Sequence, residues 1–171
     1  NLFKDNTTLN SATLGEGIIE IGSSAFEGAT NMVCIVTPES LTTIGANAFE
    51  NCVSLNSISI KNVKIIESGA FRGCTGLESL TIGEGVVIIG DFAFYGCINL
   101  TVINFNAIAM NHLAENNNVF TDAGKNGDGI TLNIGINVTV IPANLFNSTG
   151  KSEDAPKIDE LNFADGCKCE K

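Results

Sequence analysis

The segment Ile44–Ile60 reads IGANAFENCVSLNSISI, and its pattern of small, aromatic and aliphatic residues returns along the whole chain. Its Ala-Phe step has equivalents on both sides, which gives the series Leu2-Phe3, Ala25-Phe26, Ala48-Phe49, Ala70-Phe71 and Ala93-Phe94. The spacings between these phenylalanines are 23, 23, 22 and 23 residues. A period of roughly 20 to 50 residues is typical of a repeat protein, in which each unit stacks on the next.

Other apolar positions keep the same register. Six residues after each Phe stands Leu9, Met32, Leu55, Leu77 or Leu100, and three residues further on stands Ala12, Ile35, Ile58, Leu80 or Ile103. The pattern continues with insertions, and Phe120 and Phe146 mark two more repeats. We therefore predict one repeat domain over 1–171 that starts and ends in mid-repeat, with regular rungs over 1–105 and rungs with insertions over 106–171.

A single repeat holds enough chain for three short elements. Leu80 and Ile82 alternate with polar residues, which predicts a short strand with both side chains on its buried face. A second apolar segment follows at 86–90, and 91–97 has room for one or two helical or 3-10 turns. Because such a unit cannot bury its own apolar face, we predict a solenoid of about seven rungs with parallel strands and an internal spine of seven Phe.

Two stretches carry a resemblance to a known family. Ile44–Ile60 and the segment IGDFAFYGCINL over Ile89–Leu100 resemble leucine-rich repeats of the BspA or Treponema type, whose A-F-x-x-C step is specific. The usual proline after the strand is present only as Pro38, and Asn6 and Ala29 replace the Cys in the first two units. The resemblance implies an α/β leucine-rich repeat solenoid with strands on a concave side and short helical or 3-10 turns on a convex side. It also implies a secreted or surface-attached bacterial protein of the adhesin type.

Composition and charge exclude several classes of protein. The 171 residues include 9 Lys and Arg against 19 Asp and Glu, a formal net charge of −10 that opposes binding to nucleic acid. No apolar run approaches the roughly 18 residues of a membrane span, so we expect no membrane insertion. Charged residues make up only 16%, while Gly reaches 18 and Asn 21 residues, as small polar surface positions and glycine bends demand.

The six cysteines are interpreted through the repeat register rather than as a disulfide framework. Cys52, Cys74 and Cys97 each lie three residues after a spine Phe, so we expect a buried ladder of free thiols. Adjacent rungs bring such residues within the distance of a disulfide, and this alternative stays open. Cys34 occupies an outward strand position. A nucleophilic Cys needs a nearby His, and only His112 exists.

Two possible metal sites do not meet the requirements of metal binding. The Cys167-Lys-Cys169 step lacks partners placed to complete a site, and we expect Cys167 or Cys169 to fill the apolar position that opens the second half of the next repeat. The 122–130 segment resembles a calcium loop, but Gly124 and Asn133 stand where ligands are required. We therefore predict no metal, no cofactor and, because the carboxylates are scattered, no catalytic residues.

Two surfaces are candidates for binding. Outward-facing strand residues form what we call the concave face, with candidate ligand-binding residues Ser57, Ser59, Ser79, Thr81, Val102, Asn104 and Asn133. This face is small, hydroxyl-rich and almost uncharged. The insertions at 106–118, 121–130 and 147–157 supply the other candidates, His112, Asp122, Asn126 and Asp128. We slightly prefer the insertions, because long connections in compact arrays are often functional.

We thus expect a non-enzymatic extracellular or cell-surface module for adhesion or protein interaction. Its partner would be a host or bacterial surface protein or glycan. The alternative is a structural spacer stalk of a larger surface protein. Apolar faces at uncapped terminal rungs predict a possible end-to-end self-association.

Overall fold

The computed structural model describes residues 2–110, 113, 117–146 and 155–165. Eleven short strands follow one another through these residues. They are β1 (Ser11–Thr13), β2 (Glu20–Ile21), β3 (Cys34–Val36), β4 (Thr43–Ile44), β5 (Ser57–Ile58), β6 (Ile65–Ile66), β7 (Ser79–Ile82), β8 (Ile88–Ile89), β9 (Val102–Phe105), β10 (Ile130–Ile134) and β11 (Ile158–Phe163).

Each regular rung contributes two strands to two different ladders. The strands of the concave face form a three-stranded sheet, β1-β3-β5, and a four-stranded sheet, β7-β9-β10-β11. The second apolar segment of each rung forms another parallel sheet, β2-β4-β6-β8. Equivalent residues pair from rung to rung, as with Leu80 opposite Ile103 and Ile103 opposite Leu132. The predicted stack of parallel strands is therefore confirmed.

Close backbone approach between rungs accounts for the glycine after the second strand at Gly45 and Gly90. A Cβ added at Gly45 would lie 2.7 Å from the backbone nitrogen of Ser23 in the preceding rung. This is closer than real Cβ contacts, and the obstacle is main chain rather than a flexible side chain. The Ile-Gly steps at Gly45 and Gly90 are thus explained by the short distance to the preceding rung, whereas Glu67 occupies the same position in the rung between them.

The predicted Phe spine is present. The rings of Phe3, Phe26, Phe49, Phe71, Phe94 and Phe120 stack in sequence with centroids 5.2 to 5.3 Å apart. Phe146 continues the series at 5.2 Å with its ring tilted by 44°. Aliphatic residues of every rung pack around these rings in one continuous hydrophobic cluster. The spine therefore joins the regular rungs and the later ones with insertions.

The convex side differs from the expected helical or 3-10 turns. The described residues contain no helix, and the segments around each spine Phe are turns. Around Phe26, Phe49, Phe71 and Phe94, the residues two positions before and after the ring have positive φ, as at Asn47 (56°) and Asn51 (59°). A left-handed residue interrupts a right-handed helix, because helical hydrogen bonding needs consecutive right-handed residues.

The hydrogen bonds show what replaces the helix. The Phe49 N–H donates to the Ala70 carbonyl of the next rung at 2.8 Å, and the N–H groups of Asn47 and Asn51 donate to the same rung. A helix would satisfy these groups within itself. The turns instead form a third ladder of hydrogen bonds between rungs, so backbone bonding joins neighbouring rungs on all three sides of the solenoid.

Candidate functional site

The concave face carries a shallow open groove of about 630 Å³. Its walls come from β3, β5 and β7 and from the residues that follow β3 and β5. The lining residues are Cys34, Ile35, Val36, Thr37, Ser57, Ile58, Ser59, Ile60, Lys61, Ser79 and Thr81. Four predicted candidates, Ser57, Ser59, Ser79 and Thr81, are thus brought together on two adjacent rungs, and a third rung contributes Cys34 and Val36. Small side chains at these positions leave room over the sheet that larger residues would fill.

One apolar side chain stands out in this groove. Val36 is 57% exposed on β3, beside the exposed thiol of Cys34. In the preceding rung and in the next two rungs, serine and threonine occupy the equivalent outward positions. The groove therefore offers hydroxyl groups at one end and an apolar contact at the other, a combination that suits a neutral ligand with both polar and apolar groups.

The remaining concave candidates form an internal ladder of amides. The Asn104 side-chain amide donates to the Thr81 hydroxyl at 3.2 Å, and the Asn133 amide donates to Asn104 Oδ1 at 2.9 Å. Asn162 extends the ladder to Asn133 at 3.0 Å. Asn104, Asn133 and Val102 are half-buried and do not line the groove. Their main contribution is to link rungs, since each amide between two others already has one donor and one acceptor occupied.

The insertion candidates make contacts within the fold. Asp122 forms an ion pair with Lys125 at 2.7 Å, and the Asn126 amide donates to Asn99 Oδ1 at 3.0 Å. The Asp128 carbonyl accepts a hydrogen bond from Lys157. A smaller pocket of about 200 Å³ lies among these residues and shares no lining residue with the groove. The hydrogen bond from Lys157 therefore links the 121–130 insertion to the segment that follows Ala155.

Three of the residues considered from the sequence lie outside the described residues. These are His112, Cys167 and Cys169. Within the described ranges, no group of three His, Cys, Asp or Glu side chains is close enough to hold a metal ion. No helix among these residues is long and apolar enough to cross a membrane.

The predicted ladder of buried thiols is present, and its described members are free. Cys52, Cys74 and Cys97 are fully buried, and each thiol donates to the carbonyl of the spine Phe in the preceding rung at 3.1 to 3.3 Å. Burial raises the pKa of Cys52 and of Cys97 to about 12 and raises the pKa of Cys74 well above its ordinary value. Because the thiolate is the reactive form, these residues are inert structural groups.

One polar and aromatic cluster was not anticipated. Arg72, Phe92 and Tyr95 meet on the convex side, and we call them the convex cluster. The only signal in the sequence is that three large side chains occupy repeat positions held in most other rungs by smaller residues, such as Glu50 and Asn47, although Lys4 follows the spine Phe in the first rung. Their contact depends on the distance in space between neighbouring rungs, and the spacing of residues along the sequence does not show this distance.

Several solved structures share this fold. A leucine rich repeat protein of Treponema pallidum is 24% identical, with a TM-score of 0.71 over 84% of this chain and 65% of that one. A leucine rich cell surface protein of Faecalibacterium prausnitzii A2-165 is 23% identical, with a TM-score of 0.61 over 85% of this chain and 33% of that one. A leucine-rich repeat protein of Bacteroides ovatus is 21% identical, with a TM-score of 0.55 over 98% and 64%. The chain therefore spans less than two thirds of each of these proteins.

No curated protein sequence is significantly similar to this chain. Residues 1–126 match the family described as the BspA type leucine rich repeat region, in six copies. The matched residues include the Ala-Phe steps and the stacked Phe rings of the regular rungs. The chain belongs to the BspA-type leucine-rich repeat family.

Proposed function

We propose that this chain is a non-catalytic module of an extracellular or cell-surface protein, and that it binds a partner protein or glycan through the concave groove. The observation that carries the proposal is the groove of about 630 Å³, built from outward side chains of three successive rungs. Repetition of hydroxyl groups at the spacing of the rungs suits an extended ligand. A surface location is supported by the F. prausnitzii relative, which is described as a leucine rich cell surface protein.

Contacts of the insertion residues favour the groove over the insertions. Asp122 and Asn126 are engaged with Lys125 and Asn99, so binding through their side chains would cost these interactions. Ser57, Ser59, Ser79 and Thr81 are exposed along the groove. A ligand would meet the hydroxyl groups of Ser57, Ser59 and Ser79 without breaking contacts between rungs, while the Thr81 hydroxyl also accepts a hydrogen bond from the Asn104 amide.

The spacer stalk is the second candidate function. It is supported by the continuous stack of Phe rings and by hydrogen-bonded ladders on three sides, which make a rigid rod. The concave face also lacks Trp, Tyr and Arg, the residues that anchor most tight protein interfaces. A stalk would need only stiffness and solubility from this surface.

A binding experiment separates the two functions. The chain is tested against purified host matrix proteins and an array of immobilised glycans, together with variants Val36→Glu and Ser59→Glu in the groove. Ile136→Glu is the matched control, because Ile136 is exposed and does not line the groove. We expect both groove variants to bind at least tenfold more weakly while the control binds normally.

Other outcomes count against the groove. Full binding by both groove variants, together with loss of binding on shortening 121–130, would transfer the site to the insertion. Absence of any bound protein or glycan would favour the stalk.

A further inference from the structure

The convex cluster gathers rare residue types from two adjacent rungs. Arg72 is the only arginine of the chain, Tyr95 is its only tyrosine, and Phe92 is one of three phenylalanines outside the spine. The guanidinium carbon of Arg72 lies 5.4 Å from the Tyr95 ring centroid and 5.6 Å from that of Phe92. The two rings meet edge to face, with centroids 5.6 Å apart. These contacts hold the three side chains in one arrangement.

Phe92 occupies a backbone position that disfavours an aromatic residue. Its φ is +58°, at the position filled by Ser24, Asn47 and Gly69 in earlier rungs. A bulky residue with this conformation is strained, and such strain persists where another role offsets it. The ring is only partly buried and takes no part in the spine, so core packing does not account for it.

Arg72 is half-exposed, and among the described residues it has only a long ion pair with a carboxylate. Its side chain is 49% exposed, and the nearest carboxylate oxygen, on Glu50, is 3.8 Å from Nε. That separation is too long for a hydrogen bond. The rings of Phe92 and Tyr95 fix the position of the guanidinium, whose planar set of donors matches a carboxylate in two-point contact.

We propose that the convex cluster binds a sugar that carries a single carboxylate, of the uronic or sialic acid class. The carboxylate would pair with the Arg72 guanidinium, and an apolar C–H face of the sugar would lie against the Tyr95 or Phe92 ring. This site is separate from the concave groove, so the inference does not depend on the groove.

Size and charge favour an acidic sugar over an acidic protein. Three side chains cover about the area of one sugar ring, whereas a protein interface needs roughly 800 Å² from each partner. The net charge of −10 repels an acidic protein along its whole surface. An acidic sugar brings only one negative charge near the chain, so it is repelled less than an acidic protein. Salt screens that repulsion over distance, whereas the attraction between the carboxylate and Arg72 acts at contact distance.

The cluster contains its own spectroscopic probe. The chain has no Trp and a single Tyr, so the intrinsic fluorescence excited above the Phe band comes from Tyr95. The chain is titrated with 3′-sialyllactose, with galacturonic acid, each of which carries one carboxylate, and with lactose as the neutral control. We expect a saturable change with at least one acidic sugar and none with lactose, and the sugar that binds identifies the class as sialic or uronic.

Two variants test the residues that carry the proposal. Arg72→Lys keeps the charge but loses the planar donors, and Phe92→Asn places the residue of Asn47 at the equivalent backbone position. Each is expected to weaken acidic-sugar binding at least tenfold, and Phe92→Asn should not lower the thermal midpoint of unfolding. The control Lys125→Ala, which removes a cation paired with Asp122, should bind normally.

Three results would overturn the proposal. These are no saturable change with either acidic sugar, equal binding of lactose, or unchanged affinity in both Arg72→Lys and Phe92→Asn. A short neutral peptide containing one Glu serves as a further competitor. If it displaces the sugar at equal concentration, the site recognises carboxylates in general, and the assignment to a sugar is wrong.

Discussion

At the scale of single residues, stability depends on the spine Phe. Phe49, Phe71 and Phe94 are fully buried, and each ring contacts the ring above and the ring below. Their backbone N–H groups donate to carbonyls of the next rung, and the Phe49 and Phe71 carbonyls accept from the thiols of Cys74 and Cys97. One side chain therefore contributes to two interfaces between rungs, and its loss cannot be confined to its own repeat.

Replacing Phe71 with Ala is expected to lower the free energy of unfolding by about 3–5 kcal/mol, as for other fully buried Phe residues. The loss combines the burial of the ring with the cavity left between Phe49 and Phe94. Urea unfolding followed by circular dichroism measures it. Val53→Ala, at an exposed position, is the control and should change the free energy by less than about 0.5 kcal/mol. A loss below about 1 kcal/mol for Phe71→Ala would contradict the role of the spine.

At the scale of elements, the thiol ladder shows how residues at one repeat position link successive rungs. Cys52, Cys74 and Cys97 donate to Phe26, Phe49 and Phe71 respectively, so each thiol links two rungs through a backbone carbonyl. The same slot holds Ala29 in an earlier rung, which shows that its main requirement is small size. Burial keeps these thiols protonated in the folded state at pH values where they ionise in the unfolded chain.

The thiol ladder predicts a loss of stability at alkaline pH. An unfolded Cys has an ordinary pKa of 9.0, and the folded pKa of Cys52 and of Cys97 is about 12. Because the folded state then binds more protons than the unfolded state, the contribution is complete below pH 9 and is lost as the pH rises from about 9 toward 12. Between pH 8 and pH 10 we expect the free energy of unfolding to fall by about 1 kcal/mol per thiol.

Urea unfolding at several pH values measures this fall, and Cys74→Ala is the matched variant. That variant should show about one third less dependence on pH than the unsubstituted chain. Equal pH dependence in both proteins would mean that the Cys74 thiol already ionises in the folded state.

At the scale of the whole molecule, charge is the least balanced property. The chain carries 19 acidic and 9 basic residues, and the ion pairs among the described residues lie at the surface. Surface ion pairs contribute little individually. Repulsion between the many acidic side chains therefore outweighs local attraction, and the hydrophobic spine and rung ladders hold the fold against it.

Salt is accordingly expected to stabilise the protein. Raising the ionic strength from about 10 to about 150 mM shortens the Debye length from about 30 to about 8 Å and screens repulsion between rungs. The thermal midpoint of unfolding should rise, as measured by calorimetry. The double variant Glu16→Gln, Glu39→Gln, which changes the net charge from −10 to −8, should show a smaller rise. A midpoint that falls with added salt would show that ion pairs dominate instead.

The sequence was sufficient for features that repeat. The Phe spine, the buried Cys52 and the outward Cys34 were all predicted correctly, because a residue at a constant repeat position has the same surroundings in each rung. The helical or 3-10 turns of the convex side were not found. Ser24, Asn47 and Phe92 adopt left-handed conformations there. The N–H groups of Ser24 and Asn47 donate to the next rung, the N–H of Phe92 donates to Asp91 Oδ1, and local helix propensity takes no account of these bonds.

For the candidate site, the sequence identified which side chains face outward on the strands, since alternation along a strand requires no knowledge of distant contacts. Only the tertiary structure decided how these residues are used. It placed Ser57, Ser79 and Thr81 along one groove, engaged Asn104 and Asn133 in a ladder, and joined Arg72 to Tyr95 on the opposite side. The physical reason is that the period specifies the stack, whereas contacts between variable residues depend on the distances and directions that stacking creates.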